Sequence, residues 1–138
     1  MPKQTDSQSD QKKFLERILK KLSVFGNVTS RFMFGGYGIY FEGSMIALIA
    51  YEEIYFKTDK ETVELFVKAK QRPFIYDGKS GKPAVMSYYT IPKVSWKSAD
   101  SLKQWFELSL GAAKRASQKK KSKKHKTNLS ISTKVAKQ

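Results

Sequence analysis

The sequence contains no cysteine and a single histidine, and each absence excludes a class of chemistry. Without cysteine there are no disulfides, no thiolate nucleophiles and no thiolate metal sites. His125 lies in the lysine run SKKHKT, where neither a second imidazole nor a carboxylate is close in sequence to complete a metal site or a catalytic pair. We therefore expect no metal and no cofactor, and we interpret His125 as a titrating surface residue.

Long apolar runs are also missing. The longest, MIALIAY at residues 45–51, is far shorter than the roughly 20 residues that a helix needs to cross a bilayer. The N-terminal stretch MPKQTDSQSDQKK is polar throughout and does not resemble a signal peptide. The sequence predicts a soluble, cytoplasmic protein with no membrane partner.

Acidic residues are scarce, since 12 Asp and Glu stand against 27 Lys and Arg, and the formal net charge is +15. From Lys114 onward there are ten basic residues and no acidic one, so most of the excess lies at the C-terminal end. With 40% hydrophobic residues, the rest of the chain can form a core. We expect a disordered lead at residues 1–9, one domain at residues 10–113, and a basic, disordered tail at residues 114–138.

The first half of the predicted domain combines one helix with several strands. Apolar residues from Phe14 to Phe25 follow a helical period, after a cap at Ser9 or Asp10, and Gly26 is placed to end the helix. Aromatic and β-branched residues between positions 28 and 56 then predict three strands, with turns at residues 42–44 and 52–53.

The second half of the predicted domain contains a helix, two strands and a further helix. Thr58 and Glu61 have the spacing of a capping box for a second helix. Two strands are expected around the turn DGKSGKP, with Pro92 closing the last strand, and a third helix starts at Ser98 or Asp100. The fold class is therefore α+β, an antiparallel five-stranded sheet covered by helices on one face in the order α-β-β-β-α-β-β-α.

The first predicted helix has a basic outer face. Its members are Lys12, Lys13, Arg17, Lys20 and Lys21. Such a face either contacts an acidic partner or is solvated, and solvation is the commoner case.

The glycine-rich stretch RFMFGGYGIYFEG at residues 31–43 raises the question of a phosphate-binding loop. Gly36 and Gly38 match the first two positions of a dinucleotide fingerprint, but Phe41 stands at the third, and β-formers follow where a helix must begin. A second near match, PFIYDGKS, ends like a P-loop but has Pro73 in place of the first glycine. Neither stretch predicts a nucleotide site.

We interpret the glycines as structural instead. Gly35, Gly36 and Gly38 allow a bulge or a positive φ within a strand, and they let Phe34, Tyr37 and Tyr40 lie close to neighbouring backbone. Arg31, at the entrance to the strand, either binds an anion or pairs with a carboxylate such as Glu42, and the ion pair is the commoner case. No nucleophile with a partnered base can be named from the sequence, so we expect that the protein is not an enzyme.

The spacing R-x-M-F-G-G-x-G-x-Y-x-x-G-x-M, from Arg31 to Met45, resembles the N-terminal domain of the TfoX/Sxy family of bacterial competence regulators. The resemblance covers about residues 12 to 115. Further matching residues follow in the same order at Ile54, Tyr55, Phe56, Lys57, Asp59, Phe74, Tyr76, Met86, Tyr88, Tyr89, Pro92, Trp105, Ala112 and Ala113.

The resemblance implies a small α+β domain with an antiparallel sheet of the secretion-chaperone-like kind. It also implies transcriptional activation of DNA-uptake genes in concert with the cyclic-AMP receptor protein. Family members usually carry a second, helical C-terminal domain, whereas this sequence continues with a lysine-rich segment, and the family supplies no established catalytic residues. The motif residues with a structural or partner-binding role are Arg31, Met33, Phe34, Gly35, Gly36, Gly38, Tyr40, Lys57, Tyr88 and Pro92.

Two functional hypotheses follow. In the first, the protein is a regulator that contacts a transcription-related protein partner and binds DNA non-specifically through its tail. The expected DNA-binding residues are Lys114, Arg115, Lys119, Lys120, Lys121, Lys123, Lys124 and Lys126. Neutralising about six phosphates predicts a log-log salt slope near roughly −5. In the second, the protein is an interaction adaptor without a direct DNA role, and the tail solubilises or localises it. The oligomeric state is left open.

Overall fold

The architecture is given by a computed structural model that describes residues 2–33, 35–77 and 83–133, with side chains at 10–33, 35–76 and 85–118. The helices are α1 (Pro2–Leu22), α2 (Val63–Lys68) and α3 (Ala99–Thr133). The strands are β1 (Val28–Met33), β2 (Gly36–Phe41), β3 (Ser44–Ala50), β4 (Glu53–Lys57), β5 (Pro73–Asp77) and β6 (Pro83–Tyr89). Two short 3₁₀ segments, Ser23–Phe25 and Lys93–Lys97, follow α1 and precede α3.

The six strands form one antiparallel sheet in the order β1-β2-β3-β4-β6-β5. The first four strands are consecutive hairpin neighbours. The chain then passes through α2, and β6 rather than β5 pairs with β4, so that β1 and β5 are the edges of the sheet. Within the described ranges, no helix is long and apolar enough to span a membrane.

The prediction of five strands is wrong, because the stretch at residues 28–56 forms four strands and not three. Met33 lies opposite Gly36 in the register of β1 and β2, and Gly35 has φ +74°, so the chain reverses inside the glycine-rich stretch. Strand-forming residues flank this reversal on both sides, and the glycine pair that marks it is interpreted in the sequence as a bulge within one strand rather than as a turn. The element order is α-β-β-β-β-α-β-β-α.

The other two hairpin turns of the first four strands lie close to their predicted positions. Glu42 and Gly43 have φ values of 51° and 83°, and Tyr51 and Glu52 have φ values of 53° and 58°. Positive φ at both central residues is the geometry of a type I′ turn, whose twist matches that of the flanking strands. The predicted turn between β5 and β6 falls largely on residues 78–82, which lie outside the described residues.

Helix boundaries agree with the predictions at two positions and differ at two. Gly26 follows the 3₁₀ segment after α1 and donates its N–H to the carbonyl oxygen of Ser23 at 3.2 Å, and the Ser98 hydroxyl accepts the N–H of Ser101 at 3.3 Å. In contrast, α1 already includes residues 2–9, and α2 begins at Val63 rather than after a capping box at Thr58. The division into lead, domain and tail stays a prediction.

The main core lies between the helices and one face of the sheet. Large side chains with less than 2% exposure come from all layers, among them Leu22 of α1, Ile49 of β3 and Phe66 of α2. Phe106 of α3 stacks on Phe25 at 4.6 Å between ring centroids and meets the ring of Phe41 edge-on at 5.1 Å. Burying such rings contributes roughly 1.5 to 3 kcal/mol each, which fixes α3 across the sheet.

A second, smaller cluster lies on the opposite face. Its buried members are Leu48, Ala50, Phe74 and Tyr88, with Met45, Tyr55 and Met86 packed around them. All seven belong to strands, so no described helix contributes to this cluster. The helices therefore cover one face of the sheet, as predicted, and we call the other the open face.

Candidate functional site

The family motif residues on the strands lie together on the open face. Arg31 is opposite Gly38, and Gly38 is opposite Leu48, a member of the open-face cluster. Alternate residues of a strand share a face, which places Met33 beside Arg31, and Gly36 and Tyr40 beside Gly38. The motif from Arg31 to Tyr40 thus presents one set of side chains to one side of the sheet.

Two motif residues that are distant in sequence join this set. Leu48 is opposite Tyr55 on β4, so Lys57, two residues further on, also points to the open face. Lys57 in turn is opposite Tyr88 on β6. The pairing of β4 with β6 therefore brings a residue of the second half of the chain next to the glycine-rich motif.

The glycines of the motif make room for backbone and methionine, not for a phosphate. A Cβ atom on Gly36 would collide with the carbonyl oxygen of Ile49, so the two strands approach too closely for any side chain. A Cβ on Gly38 would lie 2.9 Å from Cε of Met33 and 3.2 Å from Cε of Met45. The predicted bulge or positive φ within the glycine-rich strand is not seen at Gly36 or Gly38: the register shift beside Ile39 and Tyr40 leaves Ile46 of β3 as the extra residue, and the positive φ of Gly35 lies in the turn before β2. Methionine side chains, rather than the predicted rings, occupy the space over Gly38.

Two cation–π contacts organise the polar part of the open face. The guanidinium carbon of Arg31 lies 5.5 Å from the centroid of the Tyr40 ring, and the Nζ atom of Lys57 lies 5.0 Å from the centroid of the Tyr88 ring. The predicted pairing of Arg31 with Glu42 is wrong, because Glu42 instead pairs with Lys114 of α3 at 3.9 Å. Arg31 is exposed, so its guanidinium remains accessible to a partner.

Burial disfavours the phenolate form of Tyr88. Desolvation, with a smaller contribution from Tyr40, raises the pKa of Tyr88 to about 12. A tyrosine with the ordinary pKa of 10.0 is already neutral at physiological pH, and the raised pKa keeps the Tyr88 hydroxyl a neutral hydrogen-bonding group into more alkaline conditions. This tyrosine can recognise a polar atom but is a poor proton acceptor.

A cleft extends the open face toward α3. It has a volume of about 400 Å³, and Tyr40, Met45 and Tyr88 line one side of it. Ala113 and Ala116 of α3 line the other. Small residues on the helix leave the cleft open, so a partner side chain can enter between α3 and the sheet.

Arg115 fixes the start of the predicted basic tail to the folded domain. Its Nε atom donates to Oδ2 of Asp59 at 2.6 Å and lies 3.3 Å from Oε2 of Glu61. The hydrogen bond from Arg115 is the main cause that lowers the pKa of Asp59, and the same bond raises the pKa of Arg115. A DNA phosphate would have to compete with these carboxylates, so Arg115 is placed as a structural residue rather than a free phosphate contact.

Sequence reasoning did not assign this role to Asp59. Its Oδ1 atom accepts the N–H groups of Glu61 at 3.0 Å and Thr62 at 3.2 Å, so Asp59, and not Thr58, organises the turn before α2. An aspartate followed three residues later by a threonine before an apolar run is a signal for such a turn. Its ion pair with Arg115, 56 positions away, has no local signal.

The remaining predicted residues are placed only in part. Pro92 precedes the second 3₁₀ segment, and its carbonyl oxygen accepts the N–H of Ser95 at 2.9 Å. Phe34 lies outside the described residues. The backbone at positions 119–126 is part of α3, whereas the lysine side chains at these positions are not described. Within the described ranges, no three His, Asp or Glu side chains form a cluster of metal-ligand type.

Comparison with known protein families assigns the chain to a family. The sequence model of the TfoX N-terminal domain family matches residues 20–113, which is more than half of the chain. The chain therefore belongs to the TfoX N-terminal domain family, and the resemblance seen in the glycine-rich motif is confirmed. A search of curated proteins gives no match.

Proposed function

We propose that the chain is a non-catalytic regulatory protein of the competence-regulator type. In this proposal the open face binds a transcription-related protein partner, and the basic C-terminal part of α3 contacts DNA. The observation that carries the proposal is the grouping of the motif residues on the face that no described helix covers. Core packing alone does not require an exposed Arg31 on that face.

The composition of the open face favours a protein partner. Methionine, tyrosine and arginine are enriched in the buried centres of protein interfaces. The open face carries four half-buried residues, Met33, Met45, Met86 and Tyr40. It also carries the exposed Arg31. Methionine side chains adapt their shape easily, which suits a surface that must fit another chain.

The DNA contact is supported by the course of α3. This helix packs in the core through Leu102 and Phe106 and continues without a break to Thr133. It therefore connects the folded domain to a segment with ten basic and no acidic residues from Lys114 onward. Such a segment binds phosphates by releasing counterions and contributes no sequence preference of its own.

The partner contact is tested by capture from an extract of the native cells. The full chain is compared with Arg31→Glu, which reverses charge on the open face, and with Lys68→Glu, which makes the same change on α2. The proposal predicts that a captured protein is lost with Arg31→Glu and retained with Lys68→Glu. Equal capture by all three proteins would contradict the use of the open face.

The DNA contact is tested separately by fluorescence anisotropy with a labelled duplex. Replacing the six lysines between positions 119 and 126 by glutamine is expected to weaken binding by at least about tenfold at low salt. An absence of binding by the full chain at moderate salt, with partner capture intact, would instead support the adaptor function. An ordered nucleotide in the purified protein would instead favour an enzyme.

A further inference from the structure

We propose that a second DNA contact lies in the folded domain, on a basic surface built around Trp96. We call it the Trp96 surface. Its cations are Arg17, Lys20 and Lys21 of α1 and Lys93 and Lys97 of the second 3₁₀ segment. The proposed ligand is the phosphate backbone of duplex DNA. The inference rests on the proposed function, because it assumes that the protein contacts DNA.

The geometry gathers these cations around one ring. Two neighbouring cavities, of about 500 and 310 Å³, share Lys21 and Trp96 in their walls. Lys20 and Lys97 line the first cavity, whereas Arg17 and Lys93 line the second. The Nζ atom of Lys21 donates to the carbonyl oxygen of Trp96 at 3.3 Å and so joins α1 to the 3₁₀ segment.

The cations of this surface form no ion pair within the described part of the chain. The described ion pairs all involve other cations, namely Arg72, Lys103, Lys114 and Arg115. None of the five cations of the Trp96 surface lies within 4.0 Å of a described carboxylate oxygen.

Two carboxylates, Glu52 and Glu53, line the second cavity, and Glu53 already pairs with Arg72 at 3.3 Å. The walls of the two cavities together therefore hold five cations and two carboxylates, one of which is already paired. The mutual repulsion of the cations falls when a polyanion binds, since each phosphate neutralises charge and releases counterions.

The position of α3 favours DNA over an acidic protein as the polyanion. Ala99, the first residue of α3, lines the first cavity. At 1.5 Å per residue, the backbone of residues 119–121 lies about 30 to 33 Å further along the helix. One turn of B-DNA measures roughly 34 Å, so the backbone of this lysine cluster lies about one turn of a duplex from the Trp96 surface along the axis of α3.

The test uses full-length variants with equal loss of charge. The surface variant carries Lys20→Gln, Lys93→Gln and Lys97→Gln. It keeps Lys21, which bonds to Trp96, and Arg17, which lies over the Phe14 ring at 5.7 Å. The control carries Lys60→Gln, Lys68→Gln and Lys70→Asn, where asparagine suits the φ of 60° at position 70. Circular dichroism and thermal melting check that each variant is folded.

Binding to a labelled 25-base-pair duplex is measured by anisotropy as a function of salt. Three lost phosphate contacts predict a log-log salt slope shallower by about 2 to 3 for the surface variant, and little change for the control. If the surface variant and the control behave alike while the tail lysine variant loses binding, the inference is wrong and the proposed function stands. If the unmodified chain does not bind at all, both the DNA contact and the inference are wrong.

A competition experiment separates the two kinds of polyanion. Polyglutamate and unlabelled duplex are added at equal charge to the complex with labelled duplex. The inference predicts that the duplex competes much more strongly. The reason is that the Trp96 surface and the lysine cluster at residues 119–121 are separated by about one turn of the duplex. Equal competition would contradict DNA as the ligand of the Trp96 surface and would point to an acidic protein.

Discussion

At the scale of single residues, the ion pair of Asp59 with Arg115 shows how one contact positions a functional element. Asp59 organises the turn before α2 and at the same time holds α3 where its basic part begins. Both side chains are partly buried, so the pair is screened less than a surface ion pair. A phosphate that binds Arg115 would have to compete with this contact.

This contact predicts a specific pH dependence. The folded state lowers the pKa of Asp59 from its ordinary value of 3.8, so the contribution to stability is present above that value and is lost as the pH falls through the lowered pKa. We expect Asp59→Asn to reduce stability at pH 7 and to narrow the difference in stability between pH 7 and pH 2.5. Urea unfolding of both proteins at the two pH values measures this. An unchanged difference would show that Asp59 is not the responsible group.

A second residue-scale prediction concerns Ser109 of α3. Its side chain is fully buried, and its hydroxyl oxygen has no hydrogen-bond partner in the described structure. Removing an unsatisfied buried hydroxyl and introducing the best helix former should raise stability by about 1 kcal/mol in Ser109→Ala. The midpoint of urea unfolding reports the change. A loss of stability would mean that the hydroxyl has a partner.

At the scale of elements, the hairpin between β3 and β4 has an unusual turn sequence. Tyr51 and Glu52 both have positive φ, where asparagine and glycine are preferred in a type I′ turn. Tyr51 is 91% exposed and loses little packing on replacement. The double variant Tyr51→Asn, Glu52→Gly should therefore be more stable by about 1 kcal/mol. Thermal melting should show a higher midpoint, and a lower one would contradict the turn assignment.

The elements also show what the sequence can and cannot predict. Gly26, Ser98 and the turns near residues 43 and 52 were predicted because each is a local signal. The break that separates β1 from β2 is not predicted, because Gly35 and Gly36, which mark it, are interpreted as a bulge within a single strand. The predicted helix cap at Thr58 was wrong because the stronger acceptor, Asp59, follows it directly.

At the scale of the whole molecule, the site depends on pairings that no local pattern records. The alternation within the motif suffices to put Arg31 and Met33 on one face, but not to say which face the helices leave open. The approach of Lys57 to Tyr88 depends on β6 pairing with β4 across α2 and β5. The Trp96 surface likewise joins α1 to a segment more than 70 residues away, through the bond from Lys21.

The use of the open face as an interaction surface can be measured directly, because the sequence has no cysteine of its own. Thr29 and Phe32 are exposed positions of the same edge strand, β1. Each is replaced by cysteine in a separate variant, Thr29→Cys and Phe32→Cys. Thr29 is opposite Tyr40 on the open face, whereas Phe32 is opposite Tyr37 on the other. Maleimide labelling of each full-length variant is compared in buffer and in an extract of the native cells. We predict that the extract protects Cys introduced at position 29 and leaves position 32 reactive, whereas equal labelling at both positions would contradict the account.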